Sequence, residues 1–258
     1  MIYKYPREKR AELLPLVQGI EYLEALVLGV LLSDLGNVYV DSLDKPKNLM
    51  LVYEEAMLIV FGGSGEEPTA KELFSKIPKR AAFIYPNKKW AELIRENYGK
   101  KLSFQKRTKF SSANLDLEYI RKLKNNIPDG YEIVKINDEI IDKFEANTIQ
   151  KINRFCGSVD TFRRAGFGFC ALYDGKIAAE TSNAGIIYRN AFEIDIETHP
   201  DHRRKGLATV IAAFMIEYSL ENGLDPRWDA ANKLSADLAL KLGYTDPEEY
   251  EVMVYIED

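Results

Sequence analysis

Cysteine and histidine are scarce in this chain, with two of each among 258 residues. Cys156 and Cys170 do not make the disulfide framework of a small secreted domain, so a reduced, cytoplasmic setting is expected. His199 and His202 share one loop as His-x-x-His with no cysteine nearby, and no metal site is expected. Long apolar runs are missing too. The most apolar stretch, Ala25 to Leu32, lies between Glu24 and Asp34. It is far shorter than the ~20 residues that cross a bilayer, and a buried helix is predicted there. The charged first ten residues hold nothing like the apolar core of a signal peptide. Excess positive charge is also absent. The net charge of -5 argues against a nucleic-acid footprint, which needs a basic face. Neither nucleic acid nor a membrane is an expected partner.

What is present is an ordinary globular mixture, 46% hydrophobic and 29% charged, long enough for two domains. The turn-forming stretch Asn125-Asn126-Ile127-Pro128-Asp129-Gly130 interrupts a helical pattern at Leu115 to Lys124. It suggests one domain over 1–127 and another over 128–258, both α/β. In the second, a strand is predicted over Tyr131 to Ile136 and a helix over Asn137 to Asn153. Strands follow at Gly168 to Tyr173 and Lys176 to Asn183, joined by the hairpin turn Asp174-Gly175. Another strand covers Ala191 to Thr198. After a polar loop, the apolar positions Leu207, Val210, Ile211, Phe214 and Tyr218 keep one face of a helix ending at Asn222-Gly223. A short strand at Pro226 to Ala230, a helix at Leu234 to Leu242 and a last strand at Glu249 to Ile256 complete the pattern.

The loop Arg203-Arg204-Lys205-Gly206-Leu207-Ala208 carries the chemical signal. A helix start offers unpaired backbone N–H groups and partial positive charge, a natural seat for an anion. Gly206 removes a side chain where a diphosphate would approach, and Ala208 keeps the next turn thin. Three cations at a helix N-terminus oppose its dipole by ~0.3–1 kcal/mol each unless an anion is there. The alternative is an ordinary solvated loop.

The order strand, Arg-x-x-Gly-x-Ala, amphipathic helix, strand, Asn232-x-x-Ser235, helix, Leu242-Gly243-Tyr244, strand resembles the GNAT superfamily of acetyltransferases over about residues 130 to 258. With the blocks Gly36 to Asp41 and Trp228 to Asn232, the chain looks like the larger bacterial GNAT proteins of the zwittermicin-resistance type. The resemblance implies a mixed sheet, flanked by helices, that splays open after the strand Ala191 to Thr198. It implies acetyl-CoA as co-substrate and no metal. The pantetheine arm would meet the backbone of Ile196, Glu197 and Thr198, the diphosphate Arg203, Arg204, Lys205, Gly206, Leu207 and Ala208, and Asn232 and Ser235 would touch the arm from the other side. A small-molecule amine is the expected partner, with a second copy of the chain as one assembly considered.

Strict alternation in Phe192-Glu193-Ile194-Asp195-Ile196-Glu197 puts Glu193, Asp195 and Glu197 on one face of a regular strand. Repulsion and burial would raise one or more of their pKa values, and such a cluster draws in a cation. An amine nucleophile must lose a proton, a cost of roughly 4–5 kcal/mol at neutral pH, so the three are the candidate bases, Glu193 first. Alternatively, a bulge turns one away, or another pairs with Arg163, Arg164 or Arg189. Where the family often keeps a tyrosine to protonate the leaving thiolate, this chain has Ala239. Ser235 or Tyr244 could replace it, though Tyr244 fits a core position better. The missing tyrosine leaves a non-catalytic coenzyme A-binding or interaction module as the rival reading. A tandem-GNAT aminoacyl transferase would lack the diphosphate loop and show a basic groove.

The first half contains an echo: Asn87 to Gly99 followed by the strand Leu102 to Lys106 parallels Asn232 to Tyr244 and its strand. Ahead of it lie a strand at Ala56 to Phe61, the loop Gly62-Gly63-Ser64-Gly65-Glu66-Glu67 and a short helix at Thr69 to Ile77. Acids stand where the other loop has bases, which suggests a degenerate GNAT-like copy without a cofactor. A generic α/β pattern would look similar. If it is a copy, its sheet is expected to stay closed.

Overall fold

The computed structural model describes residues 1–66 and 68–257. The chain forms two compact units, one of Met1–Lys106 with the segment from Tyr250 on, the other of Arg107–Glu249. The division falls inside strands, away from the Asn125 to Gly130 turn, and residues 107–127 go with the second unit. The cause is packing: Ile120 is buried against Ala212, Ala213 and Ile216, and Arg121 and Lys124 pair with Glu217.

The first unit runs β1 (Tyr3–Lys4), a stretch of 3-10 turns (Arg7–Val17), α1 (Glu24–Leu32), β2 (Asn37–Val40), β3 (Asn48–Tyr53) and β4 (Leu58–Gly63). Further 3-10 turns (Pro68–Lys76), β5 (Arg80–Ile84), α2 (Lys88–Tyr98) and β6 (Leu102–Ser111) follow. The apolar run forms the predicted helix, with Ala25, Val27, Val30 and Leu31 buried. Strands β2, β3 and β4 are an antiparallel meander, and β5 lies parallel to β4 over Leu58–Val60.

The second unit adds α3 (Leu117–Lys124), β7 (Tyr131–Lys135), α4 (Asp138–Ile141), α5 (Ala146–Cys156), α6 (Val159–Ala165), β8 (Gly168–Tyr173), β9 (Lys176–Tyr188) and β10 (Ala191–Thr198). It continues with α7 (Leu207–Glu221), β11 (Asp225–Ala230), α8 (Lys233–Lys241) and β12 (Thr245–Ile256). The helix predicted over 137–153 is broken in two. The chain turns between α4 and α5, so that Phe144 packs on both the Ile141–Ile152 and the Ile140–Cys170 clusters. Strands β7 to β10 are antiparallel neighbours, and β11 runs parallel to β10 over Ala191–Glu193. Helix α7 covers one face, with Leu207 and Ile211 on Ala171 and Ala179 and Met215 on Phe192.

The two halves of the sequence therefore repeat one order: antiparallel meander, helical segment, parallel strand, asparagine-capped helix, last strand. The last strands are exchanged. In the first unit β12 pairs with β5, Met253–Ile256 against Arg80–Phe83. In the second, β6 pairs with β11, Thr108–Phe110 against Trp228–Ala230. Each parallel pair is thus bordered by a strand from the other half of the sequence.

Both parallel pairs register over three residues and then stop. In the first unit protein atoms fill the opening. The carbonyl of Gly63, past the last registered residue of β4, accepts hydrogen bonds from the Trp90 indole and the Asn87 amide, each at 3.0 Å. The indole stacks on Phe61 with centroids 4.4 Å apart. Gly65, at φ +75°, approaches so closely that a Cβ there would lie 3.2 Å from the Trp90 ring. The pairing runs to Ile84, the last residue of β5, and beyond it Trp90 packs against the end of β4. Of the acidic loop, Glu67 lies outside the described residues. In α8, Ser235 holds the position that Trp90 holds in α2, three residues after the capping asparagine, and each donates its backbone N–H to that asparagine.

Trp90 is fully buried, so Trp90→Ala should cost about 3–5 kcal/mol in urea unfolding. Trp90→Phe keeps the stacking and should lose less. A cost for the alanine variant below about 1 kcal/mol would show that the plug does not hold this unit together.

Candidate active site

Along β10 the alternation read from the sequence holds. Phe192, Ile194 and Ile196 pack on the α7 side, so Glu193, Asp195 and Glu197 share the opposite face. The register between β9 and β10 shifts between Ala191 and Glu193, just before the first acid. Neighbouring strands add charge to the same face. Register places Glu180 of β9 beside Glu197 and Arg227 of β11 beside Glu193.

These charges form two groups. In one, Lys151 of α5 reaches down to Glu180 (3.0 Å), Asp195 (2.7 Å) and Glu197 (3.1 Å). Thr148 also donates to Glu180. Burial works to lower the pKa of Lys151, but Asp195 and Glu180 outweigh it and the net shift is upward. Burial raises Glu180, against the pull of Lys151. The partner of the acidic strand is therefore Lys151, and Arg163 pairs instead with Asp138 and Asp142.

The other group surrounds Glu193, whose residue is 6% exposed. Its pKa is pushed up to about 8, first by burial and then by Asp229, with Arg227 and Arg107 opposing and Asp225 adding to the rise. Asp229 is itself fixed by Arg107, whose Nε lies 2.5 Å from its carboxylate and whose terminal nitrogen donates to its carbonyl. Asp225 accepts from Ser112 at 2.5 Å and from Arg227 at 3.1 Å. A carboxyl that titrates near 8 is poised to exchange a proton close to neutral pH.

Past Glu193 the β10–β11 pairing ends, and the predicted anion loop follows β10. Gly206 sits at φ +83° as the N-cap of α7, with no side chain capping the helix. A Cβ on Gly206 would meet no protein atom within 4 Å, so the space beside the residue that opens α7 is free. Lys205 and His202 both hydrogen-bond the Tyr131 hydroxyl, and Arg203 donates to the Thr198 carbonyl. Ile196, Glu197 and Thr198 pair with β9 on one side and lie past the last residue of β10 that is registered with β11 on the other. Asn232 caps α8 by accepting from Ser235, and the Ser235 hydroxyl accepts from the Trp228 indole at 3.1 Å. Ala239 is buried. Tyr244 is a core residue whose hydroxyl donates to the Pro226 carbonyl at 2.7 Å.

Sequence reasoning missed Lys151, Glu180, Arg107 and the Asp225-x-Arg227-x-Asp229 row. The row carried a period-two charge signal. Nothing in the local sequence tied Lys151 or Arg107 to the site. Among the described residues, no group of three His, Cys, Asp or Glu side chains could hold a metal, and no helix is long and apolar enough to cross a membrane.

Comparison with known proteins matches residues 15–253 to the family model described as GNAT acetyltransferase. A curated relative, the uncharacterised N-acetyltransferase YdfB of Bacillus subtilis (strain 168), is 26% identical over 225 residues, 84% of each chain. A GCN5-related N-acetyltransferase-like protein from Streptococcus suis 89/1591 shares the fold at TM-score 0.79 and 24% identity, over 96% of this chain and 98% of that one. A tandem GNAT protein from the clavulanic acid biosynthesis pathway, solved without AcCoA, aligns at TM-score 0.60 and 15% identity over 99% and 97%.

Glu193 also predicts a pH signature of stability. Its folded pKa near 8 exceeds the ~4.3 of an unfolded glutamate, so the native state holds a proton that the unfolded chain releases. Its contribution therefore declines as pH rises from about 4 to 8. Glu193→Gln should gain on the wild type by about 2–4 kcal/mol between pH 5.5 and 8.5 in urea titrations. A difference independent of pH would contradict the buried, protonated carboxyl.

Proposed function

We propose, for a chain that belongs to the GNAT acetyltransferase family, that it transfers an acetyl group from acetyl-CoA to a primary amine of a small molecule by direct attack on the thioester. The observation that carries this reading is a buried carboxyl, tuned to about 8, at the residue where two parallel strands stop pairing. The uncapped start of α7 at Gly206, preceded by three cations, supports a diphosphate there. There Arg203, Arg204, Lys205, Gly206, Leu207 and Ala208 would hold it, with the backbone of Ile196, Glu197 and Thr198 along the arm and Asn232 and Ser235 across from it. Acetyl-CoA supplies the acetyl group as an activated thioester.

Ionised Glu193 takes the proton of the incoming ammonium. Asp195 and Glu197 are less suited to that role because both are held by Lys151. Together with Glu180 they leave that group net negative, which favours a cationic acceptor. Backbone N–H groups of β10 beyond its last residue registered with β11 are the candidate oxyanion donors. Tyr244 is committed to the Pro226 carbonyl, so the thiolate leaves without a tyrosine acid. The blocks Gly36 to Asp41 and Trp228 to Asn232 support a place among the zwittermicin-resistance-type proteins. The absence of a tyrosine at Ala239 is what favours the second reading, a non-catalytic coenzyme A-binding module.

Thiol release from acetyl-CoA with a panel of polyamines and amino sugars separates the two readings. Glu193→Gln should lower turnover by roughly 10²–10⁴-fold at neutral pH while acetyl-CoA affinity stays the same. Gly206→Phe should remain folded yet lose affinity in calorimetry. Undiminished turnover in the first variant removes Glu193 from the mechanism, and unchanged affinity in the second misplaces the cofactor.

A further inference from the structure

The charges around Glu193 are not all supplied by the half of the sequence that carries the anion loop. Asp225, Arg227 and Asp229 stand on one face of β11, and their neighbours Pro226, Trp228 and Ala230 are buried on the other. Register places Arg227 level with Glu193. Asp229, two residues further along the same face, is grasped at both its carboxylate and its carbonyl by Arg107. Arg107 stands on β6, the last strand of the first half, one residue before the registered pair Thr108–Ala230. The ion pair is well enclosed, with the Asp229 side chain 4% exposed and that of Arg107 22%. At that depth a charge left uncompensated acts strongly on a neighbouring carboxyl.

We propose that Arg107 is a positioning residue of the acetyl-transfer site: by clamping Asp229 beside Glu193 it governs the readiness of Glu193 to take the acceptor's proton. The exchanged strand gives the first half, whose own opening is plugged by Trp90, a part in the chemistry of the second. This rests on the reading of Glu193 as the base. The other groups near Glu193 are accounted for. On β10, Asp195 is paired with Lys151. On β6, Lys109 is paired with Glu248. From α5, the Cys156 thiol approaches the Gly185 carbonyl, and its pKa is raised to about 11. Tyr244 holds its proton on the Pro226 carbonyl. Of the groups that bear on Glu193, Arg107 and Asp229 form an ion pair with each other, so removing either one changes the field in a known direction.

The test needs no acceptor. Glutamate carboxyl carbons are labelled with ¹³C in the full chain, the Glu193 resonance is assigned by its loss in Glu193→Gln, and it is followed from pH 5 to 10. In Arg107→Gln, Asp229 keeps its charge and loses the Arg107 guanidinium, so the Glu193 midpoint should rise by about one pH unit. In Asp229→Asn the arginine charge remains, and the midpoint should fall by a similar amount. Arg107→Lys should return it to within a few tenths of the wild type. A role confined to packing predicts no opposed shifts. Midpoints that stay put, or that move the same way in both variants while the fold is retained, overturn the proposal. Undiminished turnover in Glu193→Gln would instead overturn the reading of Glu193 as base, so the two failures are distinguishable.

Discussion

A parallel strand pair that stops pairing inside a folded protein must find other partners for its backbone groups, because buried N–H and C=O groups left alone are costly. The molecule meets this constraint twice. In the first unit the answer is internal: Asn87 and Trp90 both hydrogen-bond the Gly63 carbonyl, and the indole fills the space. In the second unit the matching position is Ser235, turned to the Trp228 indole, and the loop beyond opens on an uncapped helix start. One aromatic residue against one small hydroxyl residue, at the same offset from a capping asparagine, separates a closed copy from one suited to a ligand.

The face of the sheet turned away from α7 carries the charge. A buried carboxylate is expensive, and the second unit handles its acids in two ways. Glu180, Asp195 and Glu197 gather around one ammonium, which keeps it charged. Glu193 instead stays protonated to about pH 8, in a group where two arginines and two aspartates nearly balance. The two solutions suit different tasks. A clamped carboxylate attracts and orients a cation, whereas a carboxyl near its midpoint exchanges protons.

Much of this was legible in the sequence where the signal is local. The alternation of Glu193, Asp195 and Glu197, the helix after Gly206, the hairpin at Asp174-Gly175 and the burial of the run after Glu24 all depend on a few consecutive residues. The echo at Asn87 was legible for the same reason, since an asparagine cap and a helix length are short-range features. The break between α4 and α5 was not, because Phe144 turns the chain to reach two clusters rather than obeying a local breaker. Lys151 and Arg107 were invisible as site residues, for their partners lie at Asp195 and Asp229, far along the chain. The exchange of last strands was hidden as well. Strands of similar pattern carry no mark of which parallel pair they border, whereas the Asn125 to Gly130 turn is a local signal.

The two units differ as an open and a plugged copy of the same arrangement, and calorimetric titration of the 258-residue chain with acetyl-CoA tests this most directly. The predicted result is a single class of site with one cofactor bound per chain. Two cofactors per chain would contradict the plug in the first unit, and no binding at all would contradict the ligand site in the second.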